Sequence, residues 1–192
     1  CLYYLIKPRS MKNYLTCIII SIGIFVSNQV HAQDWLWGRG NTGAGMDGWS
    51  VATDRFGNVF EGGVTFSGSI VNFGTLSFPV TTTGYGSVIV KYDGAGNVLW
   101  VNGTKNADTW LFNIATDPSG NSFMFGYYKG PSLDIGTITL TNPSLSEPQC
   151  FLVKFDPSGN VLWAKNLGNS NGAYMFVGTI SWILGTGGIT TD

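Results

Sequence analysis

Histidine is almost missing from this chain of 192 residues; the single copy is His31. Cysteine occurs three times, at Cys1, Cys17 and Cys150, and charged side chains make up only 11% of the total. Each shortage excludes chemistry. With no histidine beyond position 31, a Ser-His-Asp or Cys-His arrangement cannot be assembled in the rest of the chain. Histidine-based zinc sites are excluded there as well, and one cysteine cannot build a thiolate cluster. Neither a cofactor nor a metal is expected. From Gln33 onward there are 7 basic and 11 acidic side chains and no basic run. The electrostatic footprint of a nucleic-acid binder is therefore missing. Glycine-rich stretches at 38–48 and 84–96 precede no helical pattern, so no phosphate cradle or dinucleotide fingerprint follows from them.

Apolar runs long enough to cross a bilayer are also missing. Residues 15–26 form a mostly apolar run of 12, against the roughly 20 that a spanning helix needs. The run follows Met11-Lys12-Asn13, a start with a positive charge. It precedes Val30-His31-Ala32, which places small or aliphatic residues at −3 and −1 of a cleavage site. Residues 11–32 therefore read as a secretory signal peptide removed before Gln33, and residues 1–10 as lying upstream of the start. An uncleaved anchor would need a longer run. Processing would remove Cys1, Cys17 and His31, leaving Cys150 without an intrachain disulfide partner even in an oxidising compartment. The mature chain, 33–192, is expected to be secreted or displayed on the cell surface, with no membrane span.

Glycine (27 residues) and aromatics (14%) are plentiful, which suits short strands joined by tight turns. The length suffices for one domain with a core. Asp-x-x-Gly-Asn occurs four times: Asp54-Arg55-Phe56-Gly57-Asn58, Asp93-Gly94-Ala95-Gly96-Asn97, Asp117-Pro118-Ser119-Gly120-Asn121 and Asp156-Pro157-Ser158-Gly159-Asn160. The spacings of 39, 24 and 39 make two turns alternate with a period of 63. Trp37, Trp100 and Trp163 share that period, as do Val90-Lys91-Tyr92-Asp93 with Val153-Lys154-Phe155-Asp156, and Asn97-Val98-Leu99-Trp100 with Asn160-Val161-Leu162-Trp163. Repetition at such a period marks a propeller, solenoid or array. Each repeat contains four main runs rich in Val, Ile, Phe, Tyr and Trp, of strand length. In the first they lie near 50–54, 58–66, 87–93 and 97–102. A Thr-rich segment at 69–84, and again at 132–148, is expected to add a hairpin on one edge.

Val51-Ala52-Thr53-Asp54, Gly57-Asn58-Val59-Phe60, Val90-Lys91-Tyr92-Asp93 and Gly96-Asn97-Val98-Leu99-Trp100, with their second copies up to Trp163, resemble the SBBP (seven-bladed β-propeller) repeat of secreted and surface proteins of Bacteroidetes and related bacteria. The resemblance covers residues 35–163. It implies a β-propeller with one four-stranded blade per repeat and longer parent proteins, and it carries no shared catalytic residues. The expected fold is all-β, a partial propeller with blade 1 at about 37–100, blade 2 at about 100–163 and an incomplete blade 3 at 163–192. Residues 173–179 still follow the repeat, but Ile180 stands where Asp is expected. Two blades cannot close a ring, so a fragment with exposed blade faces is expected, open to self-association through those unpaired faces.

The Asp-x-x-Gly-Asn turns have a local explanation. Asp accepts hydrogen bonds from backbone N–H groups two residues on, Pro118 and Pro157 preset φ, and Gly takes the left-handed position. A calcium loop would need six to eight oxygens, and each turn offers one carboxylate. Paired carboxylates for glycoside hydrolysis could be drawn from Asp47, Asp54, Glu61, Asp93, Asp108, Asp117, Asp134 and Asp156, but four of these sit in the turns. Asp47-Gly48-Trp49 and Asp108-Thr109-Trp110 look alike and read as structural features at the start of each blade. Trp37, Trp100 and Trp163 read as packing between blades. Trp49, Trp110, Tyr127 and Tyr128 are the candidates for stacking on sugars, and Cys150 reads as a small core residue. The functional expectation is a non-catalytic scaffold for a protein or glycan ligand. The alternatives are a polysaccharide-acting hydrolase or lyase with its site elsewhere, and a structural spacer in an adhesin.

Overall fold

A computed structural model describes residues 36–43, 45–145 and 147–169. The expected signal peptide, and the expected third blade beyond residue 169, lie outside these residues. The chain divides into two units, Cys1–Leu36 and Trp37–Asp192, and all the described strands belong to the second. Among the described residues there is no helix, and so none able to cross a membrane.

The first repeat supplies β2 (Met46–Thr53), β3 (Val59–Phe66), β6 (Tyr85–Tyr92) and β7 (Val98–Lys105), paired antiparallel in that spatial order. The second supplies β8 (Asp108–Thr116), β9 (Ser122–Lys129), β12 (Gln149–Phe155) and β13 (Val161–Asn169), paired in the same way. Each Asp-x-x-Gly-Asn turn joins the first strand to the second, or the third to the fourth. The first strands carry a bulge at equivalent places, between Gly48 and Ser50 and between Leu111 and Asn113. A bulge turns one side chain out of the pleat; here those side chains are Trp49 and Phe112.

Alternation along the strands gives each sheet two faces. Val88, Val90 and Tyr92 lie on what we call the front of repeat 1; Phe60, Val64 and Ile89 lie on its back. That back packs against the front of repeat 2, and Ile114, Met124, Tyr128, Phe151, Val153 and Phe155 join it in one buried cluster with Trp100. The front of repeat 1 forms a second cluster with Val71, Phe73 and Phe78.

The inserted segments form hairpins, as their sequences indicate, but their pairing differs from a simple addition to their own sheet. The hairpin of β10 (Ser132–Ile135) and β11 (Ile138–Thr141) belongs to repeat 2 yet pairs with β7 of repeat 1, through Asp134 with Lys105 and Ile135 with Thr104. The hairpin of β4 (Ile70–Phe73) and β5 (Leu76–Pro79) pairs with β1 (Thr42–Gly43) through Asn72 with Thr42 and Val71 with Gly43. Shifted by one repeat, Thr42 corresponds to Lys105, so β1 does for the first hairpin what the end of β7 does for the second. The turn from β7 to β8 is tight. Asn106 takes a positive φ of 63°, and Thr104 and Thr109 share a hydroxyl hydrogen bond of 2.7 Å while both accept from the Ser87 amide.

Candidate functional site

The four Asp-x-x-Gly-Asn turns adopt one geometry. In each, Oδ1 of the Asp accepts from the amides two and four residues on, and Oδ2 accepts from the Asn side chain, at 2.7–3.0 Å. The glycines sit at φ between 80° and 86°, where a side chain would be strained. The Asn was the part not anticipated; it completes the ring of donors around the carboxylate. Hydrogen bonds to the charged form favour it. At Asp93 and Asp156 the Asn side chain is the largest influence and holds the pKa below its usual value. At Asp54 and Asp117 burial pushes upward, but the combined hydrogen bonds and a lysine outweigh it. Each carboxylate is spent on its own backbone, as the turn reading requires.

Two of these aspartates also hold a lysine from the third strand. Lys91 Nζ lies 3.7 Å from Asp54 Oδ2, donates to the Pro157 carbonyl at 3.1 Å and stands 5.0 Å from the Phe60 ring centre. Lys154 lies 3.0 Å from Asp117 and 5.0 Å from the Phe123 ring centre. The first pair is buried, with side-chain exposures of 5% and 0%, whereas the second has 22% and 16%. The difference arises because the turn of repeat 2 covers Lys91. The same turn receives Trp100, whose Nε1 donates to the Pro157 carbonyl at 3.1 Å, and Asn102, which donates to the Gly159 carbonyl at 3.0 Å. One repeat earlier, Trp37 donates to Gly94 at 3.0 Å and Arg39 to Gly96 at 2.7 Å. Trp100 thus packs on the turn of the following blade, as expected for a contact between blades, whereas Trp37 packs on a turn of its own blade, beside Tyr92 and Gly94. Trp163 is half-buried against Phe123.

The stacking candidates separate. Tyr128 is fully buried against Phe151, with its hydroxyl on Asn166, and cannot meet a ligand. Tyr127 is half-buried beside Phe112. Trp49 and Trp110 come together at the junction of the repeats, ring centres 5.4 Å apart. Two residues that the sequence did not single out extend them. Tyr85 lies 5.1 Å from Trp110, and Phe66 lies 5.0 Å from Tyr85. The result is a four-ring seam across both repeats, at the sheet end opposite the Asp-x-x-Gly-Asn turns, with Trp49 53% and Phe66 59% exposed at its two ends. Pairs of this geometry contribute about 0.5–1.5 kcal/mol beyond burial, so the inner rings are fixed by packing while the outer ones face water.

Asp47 and Asp108 are not equivalent, contrary to their similar surroundings in the sequence. Pairing aligns Asp47 with Val64 and Trp110 with Tyr127, which makes Asp47 the counterpart of Trp110. Asp47 is exposed, and Asp108 accepts from the Tyr85 amide at 2.8 Å, anchoring the seam. Among the remaining carboxylates, Glu61 accepts from the Tyr92 hydroxyl at 3.0 Å, and Asp134 is bonded by Thr139 at 2.6 Å and by Asn106. Among the described residues no three His, Cys, Asp or Glu side chains gather as a metal would need. Cys150 is buried, and burial raises its thiol pKa, as befits a core residue rather than a nucleophile.

No family model matches the chain. Over 128 residues, 60% of this chain, it is 32% identical to the uncharacterized WD repeat-containing protein L264 of Acanthamoeba polyphaga mimivirus. The matched stretch spans only 9% of that relative's length. A WD repeat-containing relative agrees with sheets of four antiparallel strands stacked face to face. The described residues are two four-stranded blades of an all-β, propeller-type repeat protein.

Proposed function

We propose that the chain is a non-catalytic interaction scaffold and that its ligand-binding surface is the seam of Phe66, Tyr85, Trp110 and Trp49. The observation that carries this reading is the exposure of Trp49, which a bulge turns out of its sheet at the junction of two blades. Rigid strands position the rings, and exposed aromatic residues grouped on a rigid surface are what recognition uses. The ligand we favour is a glycan. Its apolar ring faces match aromatic surfaces, and Asp47 and Asp108, at the same end of the sheets, offer acceptors to hydroxyl groups. We further propose that the repeats are of the SBBP type and that the protein is secreted or displayed on the cell surface after cleavage before Gln33; N-terminal sequencing of the exported chain tests that step.

The test of the seam is a glycan array probed with the full chain and with Trp49→Ala. Binding to glycans that Trp49→Ala weakens at least about tenfold, as for an interface anchor, supports the reading. Glycan binding that ignores the substitution removes the seam from it. No binding to glycans, but binding to a protein that Trp49→Ala abolishes, keeps the scaffold and replaces the ligand class. No ligand of either kind leaves the role of a spacer.

A further inference from the structure

The four rings of the seam meet in an open line. From Phe66 to Tyr85, Tyr85 to Trp110 and Trp110 to Trp49, the ring centres lie 5.0, 5.1 and 5.4 Å apart. Among the described rings, Phe66 touches Tyr85 alone and Trp49 touches Trp110 alone. The two ends are more than half exposed, while Tyr85 and Trp110 between them are half-buried. Each step is close to the length of one sugar residue in an extended chain. Building on the glycan reading of the seam, we propose that it takes a linear, uncharged oligosaccharide of at least four residues. The chain lies along the line, with one sugar on Phe66, one on Trp49, and two residues bridging the rings between.

The spacing of the rings is built into the junction of two described blades. Repeat 2 clamps Tyr85 by both of its backbone groups. The Tyr85 amide donates to Asp108 Oδ1 at 2.8 Å, and its carbonyl accepts from the Thr109 hydroxyl at 3.3 Å. Gly84 makes room for the clamp, since a Cβ there would lie 2.6 Å from Asp108 Oδ1. Phe66 is set opposite Tyr85 by the register of β3 with β6, and Trp49 is set by the bulge after Gly48. Rings fixed before binding lose little freedom when a ligand arrives. Two exposed platforms at a fixed distance make a bivalent site. A ligand that spans them gains from both, and one too short gains from one.

The ring positions do not recur with the period, unlike the residues that hold blades together. Trp100, on the turn at Pro157, returns 63 residues later as Trp163. The positions of Phe66, Tyr85 and Trp49 hold Lys129, Pro148 and Phe112 in repeat 2, and that of Trp110 holds Asp47 in repeat 1. A feature that departs from a repeated frame points to a ligand rather than to the frame. The charge beside the line is negative. Asp47 is exposed two residues before Trp49, and Asp108 lies against Tyr85. The lysine opposite Asp108 in register, Lys129, is turned over the Tyr127 ring, 6.0 Å from its centre. Uronic acids or sulfated sugars would set like charge against like, whereas the hydroxyls of a neutral chain find acceptors in these carboxylates.

Isothermal titration of the full chain with cello-, manno-, xylo- and chito-oligosaccharides of two to six residues tests this. In at least one series, affinity is expected to rise about tenfold or more between three and four residues, as a second platform is engaged, and to level off beyond four. Trp49→Ala and Phe66→Lys should each abolish that rise while short chains still bind. Lysine is what repeat 2 carries at the position of Phe66, so this variant serves if Trp49→Ala fails to fold. Tetragalacturonate should bind at least about tenfold more weakly than the best neutral tetramer. Affinity already maximal at two residues, affinity that grows evenly through six, or a rise at four that survives either substitution in a folded variant overturns the inference and leaves the glycan reading standing. Equal affinity for tetragalacturonate overturns it in the same way. No binding by any of the four series overturns both.

Discussion

Replacing Lys91 with methionine removes an ammonium group while keeping most of the volume of its stem. Asp54 is then left as a buried carboxylate with its three donors, the amides of Phe56 and Asn58 and the Asn58 side chain, but no countercharge. Breaking a buried pair by removing one partner costs about 3–5 kcal/mol; because Asp54 keeps those donors, the lower end, about 3 kcal/mol, is expected. The same change at Lys154 provides an internal control. Its pair is partly solvated, at 22% and 16% exposure, and about 1 kcal/mol is expected, near the upper end for pairs in contact with water. At roughly 2–4 °C per kcal/mol for a domain of this size, Lys91→Met should melt about 6–12 °C below the parent and Lys154→Met about 2–4 °C below. Urea titrations followed by far-UV circular dichroism would give both free energies and show whether the slope is unchanged. Combining Asp54→Asn with Lys91→Met removes both charges and should recover about half the loss. Equal losses at Lys91 and Lys154, or a double variant no better than the single, would refute the claim that burial by the neighbouring blade distinguishes these two pairs.

Glycine substitutions should separate strain from crowding. Gly57→Ala meets open space, while a Cβ at Gly159 would lie 2.7 Å from the Trp100 ring. Both suffer from positive φ, at about 1 kcal/mol, but Gly159→Ala should cost a further 1–3 kcal/mol or so from overpacking, read by the same urea titration. The pH dependence of stability follows from the turn aspartates, whose pKa values are lowered on folding from the ordinary 3.8. A depressed carboxylate contributes stability above its unfolded pKa and loses it as pH falls through the folded value. Melting temperature should therefore hold between pH 7 and pH 5 and drop below about pH 4, and a drop that begins near neutrality would contradict the assignment. Cys150 should resist a thiol reagent at neutral pH and react at the rate of unfolding; fast labelling of the native chain would remove it from the core.

The sequence shows the strands and turns because their determinants are local. Asp, Gly and Asn at fixed offsets create the same turn wherever they occur, and the period of 63 repeats them. It conceals which strand each hairpin joins, because that depends on how one sheet sits on the next. The pairing of Asp134 with Lys105 crosses from one repeat to the other and leaves no local mark. Asp47 and Asp108 misled for a related reason. Similar neighbours suggested equivalence, whereas the cross-strand register, fixed by the bulges, places Trp110 opposite the counterpart of Asp47's own partner. The aromatic seam was half visible. Trp49 and Trp110 stood out by type, but Phe66 and Tyr85 looked like ordinary strand residues until two sheets brought four rings together. Lys91 and Lys154 carried a signal that could have been read sooner, since a lysine recurring within an apolar run implies a buried partner.

The borrowed hairpin also gives the chain a direction. When β7 emerges during synthesis it is an outer strand with an unpaired side, the feature most prone to joining the wrong chain. The partner for its end, Thr104 and Lys105, is not encoded in its own repeat. It arrives only after residues 106–141 have followed, which at about 5–20 residues per second takes roughly 2–7 seconds. The end of repeat 1 at Thr104 and Lys105 is thus finished by repeat 2, and the time during which it stays open is set by ribosome speed rather than by the repeat's own stability.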